Sequence, residues 1–330
     1  MKFIVVGLGS MGKRRIRCLK KLGYNEIYGY DIREDRKKES EKLYGIQSLD
    51  NLDNIRILGI DAVIISTPPD RHLQYVELFA PLNIPCFIEA SVILEHSLKI
   101  KELSEKYSVF IAPSCTLKFH PAINDIKNMV NSGEFGRVIN FTYHSGQYLP
   151  DWHPWEDIKD YYVSNKETGA AREIVPFELV WLTEVLGYPT EVKSFKGEVM
   201  NFGIDDVYAI CFNFNNCYGN IMIDVVSRFA TRSLILNMEY GQIRWNWEES
   251  MVKLYDAKKQ RWIYFNQPHS EAHEGYNKNI AEQMYVDEIK AFLEGLEDPK
   301  KYPYSIGEDV NILKILNSIE KSAEVSLNEL

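Results

Sequence analysis

Three glycines, Gly7, Gly9 and Gly12, stand at G-x-G-x-x-G spacing behind the apolar run Phe3-Ile4-Val5-Val6 and ahead of a basic amphipathic stretch. In such a turn each glycine has its own task. Gly7 permits the sharp exit from a strand, Gly9 lets backbone N–H groups approach a pyrophosphate, and Gly12 lets the next helix lie close to the sheet. That helix opens at Met11, and the pattern carries it to about residue 22. Its N-terminus offers N–H donors and the positive end of a dipole to phosphate. A second strand over 26–30 ends in Asp31, 19 residues after Gly12, where a carboxylate accepts hydrogen bonds from the adenosine ribose. The same charge repels a 2′-phosphate, so the dinucleotide expected is NAD ahead of NADP. Arg33, with Arg14 and Arg15, would soften that repulsion.

A second concentration of chemistry lies over 148–178, with Asp151-Trp152-His153-Pro154-Trp155, then Tyr161-Tyr162, then Arg172-Glu173. Indoles and phenols stack on the apolar face of a sugar ring, while His, Arg and Glu bind hydroxyls or a phosphate. A long surface loop pinned by two buried tryptophans is the plainer reading of the same residues. His269 and His273 stand four apart beside Glu271 and Glu274, but Pro268 and Gly275 crowd them and no third ligand is evident. They read as a solvated loop, and no metal is expected.

Elements must position these residues. After Asp31 the pattern gives a charged helix to about 43 and strands over 45–48, 62–66, 85–89 and 110–112. A helix capped by Asp70 buries Leu73, Val76, Leu78 and Phe79, and another spans 98–107. Nearly continuous apolar strands alternating with helices mean a parallel sheet covered on both faces, with ligands outside the strands' carboxyl ends. Gly9, Asp31, Thr67, Pro68, His72 and Glu89 then share one edge. From about 120 the pattern changes. A helix opens at Pro121, and strands follow over 138–147, 191–199, 206–214, 220–228, 233–240, 242–247, 251–255 and 261–265, with closing helices over 282–294 and 306–324. The fold expected is an α/β Rossmann domain over 1–119, then an α+β domain over 120–330. The latter has one large, mostly antiparallel sheet covered by helices on one face.

The glycine fingerprint, Thr67-Pro68-Pro69-Asp70-Arg71-His72 and Phe87-Ile88-Glu89 together resemble the Gfo/Idh/MocA family of glucose–fructose oxidoreductase and inositol dehydrogenase. Cys115-Thr116-Leu117-Lys118-Phe119-His120-Pro121 is similar to its C-N-x-R-F-H-P segment, and Gly133-Glu134-Phe135-Gly136-Arg137-Val138 to its G-x-x-G-x-V/I lead into the second domain. The resemblance implies a hydride transfer between nicotinamide and a carbinol carbon of a sugar, sugar phosphate or nucleotide sugar, of the kind used in bacterial surface-sugar biosynthesis. It implies cofactor contacts at Gly7, Gly9, Ser10, Met11, Gly12, Asp31, Arg33, Thr67, Pro68, His72 and Glu89. Substrate contacts are expected at Lys118, Trp152, Tyr161 and Arg172. It also implies subunits paired through the second-domain sheet as a homodimer or homotetramer.

Two departures stand out. The family's E-K-P lysine falls on Ala90 of Glu89-Ala90-Ser91. Its G-G-x-x-x-D-x-x-x-H motif, laid on the chain with its second glycine at Gly169, puts the acid on Glu173 and the histidine on Phe177. Phenylalanine accepts no proton, so Glu173, with His153 or a tyrosine as rivals, is the expected base. A dinucleotide- and sugar-binding module without turnover is the alternative.

Composition narrows the classes. A net charge of −9 spread along 330 residues leaves no electrostatic footprint for nucleic acid. No apolar run approaches a membrane span. Five scattered cysteines without metal spacing fit a reducing, cytoplasmic setting.

Overall fold

The computed structural model describes residues 1–53, 55–152, 154, 157–268 and 282–323. The chain divides into two compact units, Met1–Thr116 with Gln283–Leu313, and Leu117–Glu282 with Lys314–Leu330. A single break after 119 was expected from the sequence, with all of 120–330 in one domain. Instead a C-terminal segment belongs to the first unit, and the division between units falls inside the last helix.

In the first unit, β1 (Phe3–Val6), β2 (Ile27–Tyr30), β3 (Gln47–Ser48), β4 (Ala62–Ile65), β5 (Cys86–Ile88) and β6 (Ile111–Pro113) form one sheet in the order β3-β2-β1-β4-β5-β6. Every pairing in it is parallel. Helices α1 (Ser10–Lys21), α2 (Glu34–Tyr44), the short α3 (Ile55–Leu58), α4 (His72–Phe79) and α5 (Leu94–Tyr107) connect the strands. β1 and β4 are buried at every position, as strands covered on both faces must be. The strand order reverses between β1 and β4, which opens a crevice at their carboxyl ends.

Two expectations for α4 fail. Asp70 lies inside a 3₁₀ turn, Pro69–Arg71, and does not cap the helix, which opens at His72 without a side-chain cap. The proline fixes a backbone that reaches the helix through this tighter turn. Leu78 is exposed, because only one face of α4 packs and Val76 and Phe79 fill it.

The second unit opens with α6 (Pro121–Asn131), where the Ala122 N–H donates to His120 Nδ1, a cap that pairs with proline at the first helical position. Its sheet contains β7 (Val138–Tyr148), α7 (Ala171–Leu186) following, then β8 (Glu191–Gly197), β9 (Val207–Asn213), β10 (Tyr218–Asp224), β11 (Val226–Met238), β12 (Gly241–Asn246), β13 (Met251–Asp256) and β14 (Arg261–Asn266). The strand order is β14-β13-β12-β11-β7-β10-β9-β8, antiparallel throughout except where β10 runs parallel to β7. The strand expected over 220–228 is two. The chain turns at Val225, where the Asp224 carboxylate accepts from the Val226 and Ser227 N–H groups, and β10 and β11 flank β7 on opposite sides. Apolar residues stand on both sides of the turn, Ile221-Met222-Ile223 before it and Val225-Val226 at it, with no glycine or proline to mark it in the sequence.

α6 and α7 cover one face of this sheet. The other face carries Phe195, Tyr218, Met222 and Ile235 in the open, interleaved with Lys193, Asn140, Thr142 and Asn220. α8 (Glu282–Glu297) and α9 (Ile306–Ala323) close the chain. No helix among the described residues is long and apolar enough to cross a membrane. All five cysteines are free thiols, and only Cys211 is exposed.

Asp309, in the first turn of α9, is fully buried and accepts from Ser97 Oγ at 2.9 Å and Tyr304 OH at 3.3 Å. Burial pushes its carboxyl up to about 6. An acid raised in the folded state binds its proton more tightly there than when unfolded. Its contribution is therefore full below about pH 4 and lost as the pH rises through 6. Asp309→Asn abolishes that slope. Measured by urea unfolding, the stability difference between variant and wild type should move in the variant's favour by up to about 3 kcal/mol from pH 4 to pH 7. A difference independent of pH would contradict the assignment.

Candidate functional site

The first unit's glycine turn is built as the spacing requires. Gly7 has φ 88°, and a Cβ there would lie 2.5 Å from the Ser66 carbonyl oxygen; at Gly12 it would lie 1.8 Å from that of Gly7. Neither position admits another residue. Gly9 has an ordinary extended backbone, and a Cβ there meets only the Arg36 guanidinium, at 3.5 Å. A side chain at Gly9 would thus fill space beside the start of α1, where a pyrophosphate needs it clear. No side chain caps α1, and Ser10, Met11 and Gly12 bring no acid to its first turn. That donor set fits a dinucleotide phosphate.

Asp31 lies beside this turn. Its Oδ2 accepts from the Leu8 N–H at 2.7 Å and its Oδ1 from the Arg33 N–H at 2.8 Å, which aims the carboxylate across the glycine loop. The basic residues around it differ from expectation. The Arg33 guanidinium is turned to Asp35, at 3.1 and 2.6 Å. Arg14 lies over the Tyr285 ring and Arg15 is fully buried, so neither reaches toward a ribose phosphate. Arg36, in the charged helix that follows Asp31, comes to 3.9 Å from Asp31. It is the third residue of α2, in the turn next to the strand end.

Thr67 and Pro68 follow β4. The Thr67 hydroxyl is buried with no partner among the described residues, an acceptor and donor at the carboxyl edge for a polar ligand group to satisfy. His72 donates from Nε2 to the Thr67 carbonyl at 2.9 Å, and burial pushes its pKa down to about 4. It is therefore neutral near pH 7 and braces the Thr67 carbonyl. The Glu89 carboxylate faces Arg15, with contacts of 2.6 and 2.8 Å, and also accepts from Ser66 Oγ at 3.2 Å.

In the second unit the structure joins Glu173 to the paired tyrosines. Glu173 lies in the first turn of α7, half-buried, and both its oxygens accept from the Tyr162 hydroxyl at 3.2 and 3.0 Å. Tyr161 packs edge-on against Tyr162 with ring centres 6.1 Å apart. Phe177 follows one turn on, also half-buried. Trp152 closes a 3₁₀ turn, and its indole N–H is buried without a partner among the described residues. His153 lies outside the described residues, as do Trp155, His269 and His273.

Two expected substrate contacts are not brought to Glu173. Arg172 forms a two-pronged ion pair with Glu320, at 2.6 and 3.1 Å, and donates to the Glu167 carbonyl; it fastens the start of α7 to α9. Lys118 is buried 3.8 Å from Glu184, which also holds Lys127. Glu184 is 11 residues along α7 from Glu173, a rise of roughly 16 Å at about 1.5 Å per residue. The helix axis separates what the linear motif put together.

The sequence reading missed Glu178. It is fully buried and accepts from Tyr143 OH at 2.7 Å, Ser145 Oγ at 2.9 Å, Trp181 Nε1 at 2.9 Å and Arg232 Nε at 3.0 Å. An acid among the apolar residues of α7 was its signal. Nearby His120 is buried against Trp245 and pushed down to about 4 by burial, with the Arg232 charge adding to the effect. It too is neutral near pH 7. Among the described residues no group of three or more His, Cys, Asp or Glu is gathered as a metal ion requires.

The comparisons agree with this architecture. Residues 1–111 match the model of the oxidoreductase family with an NAD-binding Rossmann fold, and residues 123–244 that of the GFO/IDH/MocA C-terminal domain. The chain belongs to the Gfo/Idh/MocA family of NAD-binding oxidoreductases. Solved structures that it resembles include an Agrobacterium radiobacter oxidoreductase in complex with NAD⁺, L-tartaric acid and magnesium, with TM-score 0.84 and 14% identity over 98% of this chain and 96% of that one. Levoglucosan dehydrogenase in complex with NADH and levoglucosan gives TM-score 0.83 at 15% identity over 98% and 97%. The UDP-N-acetylglucosamine 3-dehydrogenase of Acidithiobacillus ferrooxidans gives 0.78 at 14% over 98% and 98%. At these identities the likeness is one of fold. No individually curated protein matches the sequence.

Proposed function

We propose that this chain is an NAD-dependent dehydrogenase or reductase of a sugar, sugar phosphate or nucleotide sugar, with Glu173 as the proton acceptor. The observation that carries the reading is the Glu173 carboxylate beside Tyr161 and Tyr162, where the family motif puts its acid. Bound NAD supplies a hydride acceptor. The chain's own residues do the rest. The glycine turn and α1 hold the phosphates, Asp31 takes the ribose, Thr67 offers its hydroxyl at the strand edge, and Glu173 receives the carbinol proton. Aromatic side chains from 152–162 stack on the sugar ring. The sugar dehydrogenases of similar fold support the substrate class.

Ala90 and Phe177, where the family has lysine and histidine, favour a second reading, a sugar-binding module without turnover. A screen of sugars, sugar phosphates and nucleotide sugars separates the two by following NADH in both directions. Binding without any NADH change would establish the module.

The reading extends to a cytoplasmic protein whose subunits pair through the open sheet face carrying Phe195, Met222 and Ile235. Reduced cysteines support the location, and the face's mixture of apolar and amide side chains resembles an interface. Light scattering at micromolar concentration should show a dimer or tetramer, and a species of 38.4 kDa alone would exclude the pairing.

A further inference from the structure

Tyr162 has no counterpart in the motifs that led to Glu173, yet the loop bearing it is built around their contact. The Asn165 N–H and Thr168 Oγ1 both donate to the Tyr162 carbonyl, at 3.1 and 3.3 Å, and the Gly169 N–H donates to the Asn165 carbonyl at 2.9 Å. The loop closes directly on Gly169, where a Cβ would lie 1.9 Å from the Val163 carbonyl oxygen. Ala170 is then held at φ 54°, ψ −132°, a conformation rare for any residue with a side chain, and it is fully buried. Such strain persists where the surroundings over-determine it and gathers at functional sites. Here it sets the direction in which α7, and with it Glu173, leaves the loop. Among the described residues, the charged and titratable neighbours of the pair include Tyr161, edge-on to Tyr162, and Arg172, turned to Glu320 and the Glu167 carbonyl.

We infer that Tyr162 is a positioning residue that acts through Glu173, orienting its carboxylate and holding it ionised until it takes the substrate's proton. The inference rests on the reading of Glu173 as proton acceptor. A phenol that donates to a carboxylate stabilises the charged form. A carboxylate has about four lone-pair sites, so this bond is compatible with receiving the carbinol proton. In the oxidative direction the carbinol C–H bond breaks as hydride to the oxidised cofactor. Its O–H bond breaks as a proton to Glu173, and the carbonyl forms; reduction runs the same exchange backwards.

The test uses the full chain labelled with ¹³C at the Glu carboxyl carbon, the Glu173 resonance being the one lost in Glu173→Gln. Tyr162→Phe removes a single oxygen. The midpoint of the Glu173 titration should then rise by about one to two pH units. In turnover, the acid limb of kcat/KM should rise with it, and kcat should fall roughly 10- to 100-fold with KM little changed. Gly169→Ala, which forces the loop away, should reproduce the titration shift. An unmoved midpoint or acid limb in Tyr162→Phe would overturn the inference. The NMR titration needs no substrate. A chain that turns over no sugar sinks the enzymatic reading, while an unmoved midpoint sinks this one.

Discussion

Glu173→Gln is expected to lower turnover by roughly two to four orders of magnitude while leaving NAD affinity as it was. The amide keeps the shape of the side chain and a partner for the Tyr162 hydroxyl, and loses only the capacity to accept a proton. NAD affinity should survive because the residues offered to the dinucleotide, Gly9, Asp31 and Thr67, belong to the first unit and Glu173 to the second. The two histidines of the family-like segments supply no substitute. His72 and His120 are each pushed down to about 4 by burial, and each ring is committed to a backbone contact. Steady-state rates on the best substrate from the sugar screen, set beside calorimetric NAD affinities, decide the matter. If the glutamine variant turns over at the wild-type rate, the proton goes elsewhere, and His153→Ala tests the rival base on the aromatic loop.

The glycine turn could be read from the sequence because its determinants are local. Gly7 and Gly12 are demanded by backbone atoms a few residues away or one strand over, and the Asp31 distance follows from one helix and one short strand. Arg36 and Glu178 were harder to see. Each gains its role from where a helix turn points it, over the glycine loop in one case and onto β7 and β11 in the other. Four of the expected ligand contacts share a feature. Arg33, Arg172, Lys118 and Glu89 are charged groups assigned to ligands by proximity in sequence. The fold supplies each with an internal counter-charge, in Asp35, Glu320, Glu184 and Arg15. One of those partners, Glu320, comes from the C-terminal helices, as does the Glu288 that shares Arg15. No local pattern could have paired them with residues 148 and 273 positions earlier.

Arg15→Met is expected to destabilise the first unit by about 3–5 kcal/mol. Arg15 has no exposed surface and lies between the rings of Phe87 and Tyr285, 4.5 and 5.2 Å away. It grips Glu89 through Nε and Nη2 and reaches Glu288 through Nη1 at 2.7 Å. Burial acts to lower its pKa, but the two carboxylates outweigh it and hold the guanidinium charged well above its ordinary range. Glu288 accepts as well from Ser114 Oγ, the Cys115 N–H and Thr116 Oγ1, at 3.0, 2.6 and 2.8 Å, and so has donors of its own. Removing the cation leaves two buried carboxylates facing each other with their common counter-charge gone, and that cost exceeds the worth of the lost packing. Glu288→Gln in the Arg15→Met background should therefore restore part of the loss, because it removes one of the two stranded charges. Urea unfolding of wild type, single and double variants measures both effects. A single variant within about 1 kcal/mol of wild type would mean that the network is worth no more than an exposed ion pair. Arg15 also lies on the helix that the glycine turn opens, and Glu89 ends the strand leading to Ala90. A destabilised network should therefore weaken NAD binding too, although no atom of Arg15 is offered to the cofactor.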